Sequence, residues 1–427
     1  MWQTLRKALS TLKARGVNDD LRNCKFFWDN YGQFQIWSGL YPVFWPIPIF
    51  YFLASGAHGS FFFVTFIITY GENIVECVES IHFFILLSIA FSGTIQRCLH
   101  GKEVEKLFWI LDRGLHDYED TIDEHSFAVI EDLKQKKDRR KNVLTRSVCI
   151  LIAIANIAMA VVRPVINYLS GKYENPKNDD GINRWLPIPH WYPFDCKPWP
   201  ARLFASTMSY YVMFSTSLIV LTNTLIFLIV AEEIICELKV VAVLLTNISA
   251  RADMLMKRTK FHRDEKKGKI QFQYLRLCLT HCIKHHEAIS EVFNLFDYMY
   301  TFILMFTFLT STFVICLCAI LLAEGDLEPS SKFTFIFLLL NEVLHIYIFS
   351  WYGQKLQDLS EGLRDTLYFT LCYDDMMAIK HHLLMLQARC LKPLKLSLGG
   401  FAHASMDTFG TVLNSSYSYF NVIQAAK

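Results

Sequence analysis

Two histidines and their neighbours between positions 281 and 286 form the densest group of potential metal ligands in the sequence. His281 and His285 are four residues apart, so a helix would place both imidazoles on one face. Cys282 and His286 lie on an adjoining face, and no third ligand is indicated for the histidine pair. The spacing allows a metal site but favours an ordinary polar helix face. We therefore predict no metal and no other cofactor.

Ionisable residues inside apolar stretches offer a second kind of chemistry. Glu342 and His345 are three residues apart at a depth where such groups usually face the interior of a helix bundle. They could sense a ligand or take part in gating, or they could form a satisfied internal hydrogen bond. Glu72, Glu76 and Glu79 follow helical spacing at the start of another apolar stretch. They could attract cations to a pore entrance, or they could form a solvated helix face.

Enzyme chemistry is not indicated by any motif in the sequence. There is no Gly-x-Ser-x-Gly, no His-Glu-x-x-His, no glycine-rich phosphate loop and no carboxylate pair in a catalytic context. We therefore predict no catalytic residues and a protein that is not an enzyme.

Composition indicates which elements must hold these side chains. Hydrophobic residues make up 53% of the 427 residues, aromatic residues 15% and charged residues only 19%. Such a composition is typical of a polytopic membrane protein. Hydropathy predicts six apolar spans, each long enough to cross a bilayer, which takes about 20 residues. They cover residues 39–68, 75–98, 143–165, 201–235, 298–322 and 332–356.

Basic residues divide the connecting segments into two classes. Lysine and arginine concentrate in the N-terminal arm, between spans two and three, between spans four and five, and after span six. The 166–200 loop contains only four of them and the 324–332 turn only one. The positive-inside rule then predicts a cytosolic N-terminus, and seven spans predict an extracellular C-terminus. This orientation is opposite to that of a G-protein-coupled receptor and makes a metabotropic receptor the less favoured class.

The last candidate span, residues 401–424, is long enough to cross a bilayer but too polar to face lipid alone. On a helical wheel, one narrow stripe holds mainly small side chains: Thr408, Thr411, Ser415, Ser418, Val422 and Ala426. Larger side chains crowd the opposite side: Phe409, Leu413, Tyr417 and Phe420. We expect the second face to pack and the first to tolerate water.

These patterns predict an all-α membrane protein of seven transmembrane helices. Residues 1–356 would hold the ligand-binding helices one to six with cytosolic extensions, 357–400 a cytosolic anchor region, and 401–427 the seventh helix. Helical periodicity continues outside the membrane at 232–256, 271–296 and 373–391. We expect these extensions to form an anchor bundle, where subunits would meet.

The outer loop 166–200 is rich in proline, tryptophan, tyrosine and asparagine, which predicts an ordered, turn-dense segment. It is either a lid that controls access to the helices or an aromatic cap at the membrane interface. Cys196 in this loop is either a free thiol or bridged to Cys316 or Cys318. Beneath the loop, four large side chains could line an apolar ligand pocket: Phe83, Met159, Tyr211 and Phe337.

Specific short motifs lie in the last third of the chain. They are Lys392-Pro393-Leu394-Lys395-Leu396, then Phe409, then Ser416-Tyr417-Ser418-Tyr419-Phe420, with Trp351-Tyr352-Gly353-Gln354 and residues 285–296 further upstream. With the seven spans and the inside N-terminus, these motifs resemble the insect odorant receptor family. Cys372-Tyr373 departs from the Trp-Tyr pair that the family often has after span six.

Two further comparisons of motifs narrow the resemblance. The chain lacks the cytosolic insertion and the Val-Thr-Tyr-Phe ending of the family's co-receptor, so it is more similar to a ligand-specific tuning subunit. The related gustatory receptors have a Thr-Tyr and Gln-Phe signature where this chain has Ser418-Tyr419 and Gln424-Ala425. A gustatory-type channel or a metabotropic receptor is therefore the alternative.

The resemblance implies a tetrameric, odorant-gated, non-selective cation channel in the plasma membrane of sensory neurons. Its partners would be a small volatile organic odorant, the co-receptor and the lipid bilayer, and not a nucleic acid. The odorant would bind among helices two to six, and the seventh helices of four subunits would line the pore. By motif alignment Val422 would form the gate, which agrees with its place on the stripe of the wheel, and Ser415, Ser418 and Ala426 would line the pore.

Overall fold

A computed structural model describes residues 24–32, 46–99, 101–118, 121–169, 180–258, 267–323, 327, 329–370 and 373–425. We label its helices α1 (Pro46–Thr69), α2 (Ile74–Leu99), α3 (Gly101–Arg113), α4 (Glu124–Ile157), α5 (Arg163–Leu169), α6 (Trp199–Thr246), α7 (Ile248–Arg258), α8 (Lys267–Ala323), α9 (Pro329–Thr370), α10 (Tyr373–Cys390) and α11 (Met406–Ala425). A π-helical segment, Ala158–Val162, joins α4 to α5, and a short helix at Lys25–Phe27 continues as a π-helix over Trp28–Gly32.

Two small antiparallel hairpins complete the described fold. Strand β1 (Ile182–Asn183) pairs with β2 (His190–Trp191), with Ile182 opposite Trp191. Strand β3 (Ser397–Leu398) pairs with β4 (Ala402–His403), with Ser397 opposite His403. The first hairpin lies in the predicted outer loop and the second immediately precedes α11.

Six helices in the described part of the chain are long and apolar enough to cross a membrane: α1, α2, α4, α6, α8 and α9. This confirms six spans, although residues 39–45 of the first predicted span lie outside the described ranges. Helix α11 corresponds to the seventh predicted span. Helices α6, α8 and α9 are 48, 57 and 42 residues long, well beyond the predicted spans. Hydropathy finds only the apolar part of each helix, whereas the helices continue into charged sequence at the end predicted to be cytosolic.

Local signals set several helix boundaries. Asp123 begins α4 by accepting a hydrogen bond at Oδ2 from the Ser126 backbone N–H, 3.0 Å away. Ser405 begins α11 in the same way, because its Oγ accepts from the Thr408 N–H at 3.2 Å. Gly399 and Gly400 have φ values of 66° and 83° and form the turn between β3 and β4. The predicted start of the seventh span at residue 401 was therefore wrong. Residues 401–403 belong to the β3–β4 hairpin, and the helix begins at Met406.

Helix α6 is the central helix of the subunit and packs against α4, α8 and α9. Its two buried carboxylates, Glu232 and Glu233, are both paired. Glu233 Oε2 lies 2.7 Å from Lys137 Nζ on α4, and Glu232 Oε1 accepts a 2.9 Å hydrogen bond from the Tyr352 hydroxyl on α9. Arg140 Nη2 lies 3.4 Å from the second oxygen of Glu232. These contacts join α4, α6 and α9. A shift of one helix against another would separate a pair and leave a buried charge without its partner, so the contacts fix the register of the three helices.

The histidines considered as metal ligands connect α8 to the segment between α3 and α4. His281 Nδ1 lies 2.9 Å from His116 Nε2, and His285 Nδ1 lies 2.7 Å from the Tyr118 hydroxyl. Burial lowers the pKa of His116 to about 4, so this ring is neutral near pH 7. In the described ranges, no three His, Cys, Asp or Glu side chains form a group that could hold a metal ion.

The thiol in the middle of that histidine group contacts an arginine. Arg251 on α7 is fully buried, and its Nη1 lies 3.6 Å from Cys282 Sγ. The same guanidinium donates from Nε to the Thr121 carbonyl at 2.9 Å and from Nη1 to the Leu244 carbonyl at 3.2 Å. This part of α8 is thus a packed polar surface that joins α7 and the α3–α4 connection.

Gly353 on α9 touches the backbone that leads into α11, and its replacement gives a first prediction. A Cβ at Gly353 would overlap the carbonyl oxygen of Ala404, whereas a Cβ at Gly362 on the same helix would meet no atom within 4 Å. We expect Gly353→Ala to destabilise the subunit by about 1–3 kcal/mol, as overpacking does. Gly362→Ala should be neutral or slightly stabilising, because alanine is the better helix former. Thermal unfolding of the detergent-purified variants measures the difference, and equal melting temperatures would contradict the close approach.

Candidate functional site

An internal cavity of about 180 Å³ lies between α1, α2, α4, α6 and α9, with residues of the β1–β2 hairpin at one end. Its wall is mostly apolar and includes Phe62, Leu87, Val212, Leu338 and Ile348. An engineered apolar cavity of about 150 Å³ binds benzene. A cavity of this size can therefore hold a small organic molecule.

The structure brings three of the four predicted pocket residues together. Phe83, Met159 and Phe337 line the cavity, whereas Tyr211 does not. The Tyr211 ring instead lies 5.2 Å from the ring of Phe50, centroid to centroid. Its neighbours Val212 and Met213 face the cavity. Successive helix positions point about 100° apart, and the rotation of α6 that decides among them is set by tertiary packing.

The helices that build the cavity also differ from the prediction. Helix α1 contributes His58 and Phe62 to the wall, although the pocket was expected among helices two to six. In the part of the chain that the structure describes, α8 contributes no lining residue. The apolar run of α1 carried one sign of this role, His58, which was not singled out from the sequence.

Glu342 and His345 both face this cavity. The Ser311 hydroxyl on α8 donates a 2.7 Å hydrogen bond to Glu342 Oε2, and the His345 ring lies 4.6 Å from the Phe349 ring. Glu342 thus forms the internal hydrogen bond that one interpretation expects and also lines the cavity, and its role in ligand sensing or gating stays a prediction.

Three further polar side chains of the wall were missed by sequence reasoning: His82, Asn156 and Thr216. The signal was present, because each is a polar residue inside an apolar span. Hydropathy did not separate them from the many serines and threonines of these spans, whose hydroxyls bond to their own helix. Thr222 is one of these, since its Oγ1 donates to the Leu218 carbonyl at 2.8 Å.

The described part of the outer loop is ordered and closes one end of the cavity. His190 is buried, with Nδ1 2.8 Å from the Ile188 carbonyl and Nε2 3.4 Å from Ser209 Oγ on α6. Burial and the nearby His58 lower the pKa of His190 to about 3. Tyr192 lies 2.9 Å from His58 Nε2 and donates to the Ala205 carbonyl at 3.0 Å. The hairpin is thus held between α1 and α6 by neutral hydrogen bonds; residues 170–179 of the predicted loop lie outside the described ranges.

Glu76, one of the three carboxylates considered as a cation-attracting entrance, binds the outer loop instead. Arg184 donates from Nε to Glu76 Oε1 at 2.7 Å and from Nη2 to Glu76 Oε2 at 3.0 Å. Asp180 accepts from the same guanidinium at 2.6 Å. Glu76 and Glu79 are buried and only Glu72 is exposed. Both earlier interpretations of these carboxylates were therefore wrong for Glu76, because its charge is neutralised by the loop that covers it.

Cys196 is a buried free thiol whose Sγ lies 3.6 Å from the Phe194 carbonyl oxygen. Cys316 and Cys318 are also free and buried. The free-thiol alternative is therefore correct, and the ion pair of Arg184 rather than a disulfide fastens the outer loop.

Helix α11 packs on α8 and α9 through one face. Val412 and Ser416 are buried in this contact. The Ser416 hydroxyl lies 3.0 Å from the Thr312 carbonyl oxygen of α8 and 2.9 Å from the Val412 carbonyl oxygen of its own helix, so the two acceptors share its proton. The Phe409 ring meets the Tyr347 ring of α9 edge-on at 5.7 Å. On the far side, Val422 is 66% exposed.

The other residues predicted on α11 are placed as follows. Ser418 is exposed, Ser415 is half-buried, and Ala426 lies outside the described residues. Tyr417 was expected to pack, but it is exposed and stacks on Phe420, with ring centroids 6.2 Å apart. A helical wheel gives relative directions only, and the observed packing face is centred on Phe409, Val412 and Ser416, which leaves Tyr417 outside it.

Comparison with known sequences identifies relatives over part of the chain. Odorant receptor Or2 of Anopheles gambiae is 24% identical over 148 residues, which cover 34% of this chain and 38% of that protein. Odorant receptor 85f of Drosophila melanogaster is 30% identical over 122 residues, or 28% of this chain and 30% of the relative. The odorant receptor coreceptor of Aedes aegypti is 23% identical over 153 residues, or 36% and 32%. The aligned region thus spans between 30% and 38% of each relative.

Comparison with solved structures extends over most of the chain. The insect olfactory receptor OR5 from Machilis hrabei, in complex with eugenol, superposes with a TM-score of 0.69 and 13% identity, covering 89% of both chains. A second structure of the same receptor superposes with a TM-score of 0.67 and 12% identity. At this level of identity, the likeness shows a shared fold.

A family profile gives the widest sequence match. The profile described as 7tm Odorant receptor matches residues 73–417. This range contains all the described cavity residues of α2, α4, α6 and α9 and most of α11. Because the profile covers well over half of the sequence, the chain belongs to the seven-transmembrane insect odorant receptor family.

Proposed function

We propose that this chain is a subunit of an odorant-gated, non-selective cation channel. The observation that carries the proposal is the exposed face of α11, where Ser418 and Val422 have no covering element in the described subunit while Val412 and Ser416 are buried. Polar groups of a membrane helix need protein or water beside them. A ring of such helices around a water-filled axis supplies both, and four copies give the tetramer that the family resemblance implies.

In this proposal the cavity binds a small volatile odorant, and Phe83, Met159 and Phe337 contact it. Tyr211, one shell behind the wall, supports α6 through its contact with Phe50. The similar receptor OR5 in complex with eugenol supports ligand binding as the function of this fold. Three regions have separate roles: 1–356 binds the ligand, 357–400 anchors the subunit, and the last region, 401–427, lines the pore through helix α11.

The pore residues follow from the exposed face of α11. Val422 forms the hydrophobic gate, and Ser418, Ser415 and Ala426 line the path that leads to it. A ring of apolar side chains can close a narrow pore by excluding water, and moving the helices apart lets water return.

Ligand binding reaches the pore helix through α8. Glu342 on the cavity wall accepts from Ser311, and the next residue of α8, Thr312, accepts from Ser416 of α11. One turn of α8 therefore touches both the cavity wall and the pore helix. A ligand that moves Glu342 would move this turn and, with it, α11.

We further propose that the chain is a ligand-specific subunit that assembles with the co-receptor in the plasma membrane of sensory neurons. Named odorant receptors and a co-receptor are both among its relatives. Related sequences in the two kinds of subunit support an assembly in which they contact each other. The cavity, with several polar groups on an apolar wall, supports the ligand-specific role.

Expression with and without the co-receptor, under voltage clamp and a broad odorant panel, tests the proposal. We expect an odorant-evoked cation current when both chains are present and none from the co-receptor alone with the same odorant. The opposite result would be silence across the panel from surface-expressed protein, together with second-messenger production that survives channel block. Epitope tags on intact cells add an independent readout, because an exposed N-terminus would favour the metabotropic class.

A further inference from the structure

Three polar atoms on the cavity wall have no hydrogen-bond partner within the described residues. They are His82 Nδ1 on α2, Asn156 Oδ1 on α4 and Thr216 Oγ1 on α6. His82 and Thr216 are only 5% and 3% exposed. Leaving a buried polar group unpaired costs about 1–3 kcal/mol. Three such atoms, contributed by three helices that line the same cavity, therefore indicate a molecule that pairs with them.

Other polar groups on the same wall are already engaged. Ser217 Oγ donates to the Met213 carbonyl at 2.9 Å, Glu342 accepts from Ser311, and both His58 and His190 have partners. Among the described residues of the wall, His82, Asn156 and Thr216 are the ones with a fully buried side-chain atom that has no partner.

The orientation of the Asn156 amide determines which ligand group can pair with its free oxygen. Asn156 Nδ2 donates to the Ile152 carbonyl at 2.8 Å, which assigns the amide nitrogen to the helix and leaves Oδ1 for the cavity. An amide oxygen only accepts hydrogen bonds. The molecule that satisfies Asn156 must therefore carry a donor, which ethers, ketones, esters and hydrocarbons lack.

The remaining wall limits the charge of that donor-bearing molecule. His82 Nδ1 and Thr216 Oγ1 can each donate or accept, depending on tautomer and rotamer. No lysine or arginine is among the residues that line the cavity in the described part of the chain. An anion would therefore be buried without a counter-charge, which is costly in a membrane. A hydroxyl group both donates and accepts without carrying a charge.

We infer that this cavity selects a small neutral alcohol or phenol over the matched ether and hydrocarbon. Asn156 accepts from the ligand hydroxyl, Thr216 and His82 complete its hydrogen bonds, and the apolar wall holds the hydrocarbon body. The inference rests on the proposed function, since it names the ligand class of the same channel subunit.

A matched ligand series on the full receptor, co-expressed with the co-receptor, tests the inference. The probes are 2-phenylethanol, its methyl ether and ethylbenzene, followed by 1-hexanol, its methyl ether and hexane. In each series we expect the alcohol to act at a concentration at least about ten-fold lower than the other two, the effect of one buried hydrogen bond of about 1.4 kcal/mol.

Near-isosteric variants assign the preference to particular atoms. Asn156→Leu and Thr216→Val should each remove most of the preference for the alcohol while keeping or improving the response to the hydrocarbon. Thr222→Val is the matched control on α6, because the Thr222 hydroxyl bonds to its own helix and does not line the cavity. Surface labelling confirms that each variant reaches the membrane.

The outcomes separate this inference from the proposed function. Ethers and hydrocarbons that act as well as alcohols would overturn the inference and leave the channel in place. A preference for the alcohol that remains in both variants would also overturn the inference, because other atoms would then bind the ligand hydroxyl. If no compound of this series or of the broad panel evokes a current from surface-expressed receptor, the proposed function fails and the ligand class fails with it.

Discussion

Replacing Val422 by alanine is expected to raise the ligand-free current of the assembled channel by on the order of ten-fold. Val422 is 66% exposed on the face of α11 opposite its packing contact. In a ring of pore helices, this face turns toward the axis, where apolar side chains keep the closed pore dry. Removing side-chain carbon from that ring makes the closed, dry pore less stable relative to the open, wet pore.

The size of the effect follows from the carbon removed. Valine to alanine removes two methyl-sized groups, each worth about 0.8 kcal/mol of apolar contact. A change of about 1.4 kcal/mol in the closed–open equilibrium is already a factor of ten. The effect grows with the number of subunits that contribute Val422, so a channel with more copies of this chain should leak more.

Ile423→Val is the matched control for this prediction. Ile423 neighbours Val422 but lies on a different side of α11 and is 38% exposed. Ile423→Val removes one methyl group at the same level of the helix. If the Val422 effect came from a general loosening of α11, this variant would also raise the ligand-free current. Whole-cell current without ligand, normalised to surface protein, measures both variants. If Val422→Ala and Ile423→Val both match the wild type, Val422 is not the constriction.

The contrast between Tyr211 and Met213 shows how far sequence reasoning reaches into the candidate site. Apolar spans, their number and the polar character of α11 follow from composition and periodicity, because these properties belong to each helix alone. Which side of α6 faces the cavity depends on how α6 packs against the helices around it, chiefly α4, α8 and α9. Tyr211 and Met213 were therefore indistinguishable in the sequence, although only Met213 lines the cavity.

Long-range polar contacts were the second limit of the sequence. Glu76 reads as part of an acidic helix face until Arg184, 108 positions away, is brought onto it by the hairpin. Likewise, the hydroxyls of Thr216 and Thr222 look alike in sequence, and only the structure distinguishes the one without a partner from the one bonded to its own helix. Such pairings depend on the tertiary fold, which local pattern does not encode.

Replacing Ser311 by alanine is expected to reduce the maximal odorant-evoked current by on the order of ten-fold. Ser311 is buried and donates to Glu342 at 2.7 Å, and Thr312 beside it accepts from Ser416 at 3.0 Å. Without the Ser311 hydroxyl, movement of Glu342 is no longer transmitted to this turn of α8. A buried hydrogen bond contributes about 0.5–1.5 kcal/mol, and the upper end of this range is close to a factor of ten in the open–closed ratio.

Two variants separate transmission from general damage to α8. Thr310→Val removes a neighbouring hydroxyl that bonds to its own helix at the Phe306 carbonyl, so its odorant response should remain near wild type. Ser416→Ala removes the other end of the connection and should reduce the response as Ser311→Ala does. Because both act on one path, the double variant should lose less than the sum of the two single effects.

Combining Ser311→Ala with Val422→Ala distinguishes a broken connection from a broken gate. If Ser311 transmits the ligand signal, the double variant should keep the raised ligand-free current of Val422→Ala and lose only the increment that odorant adds. If Ser311→Ala instead closes the channel by distorting α11, the ligand-free current will fall as well. A full odorant increment in the double variant would show that the path from cavity to pore does not pass through Ser311.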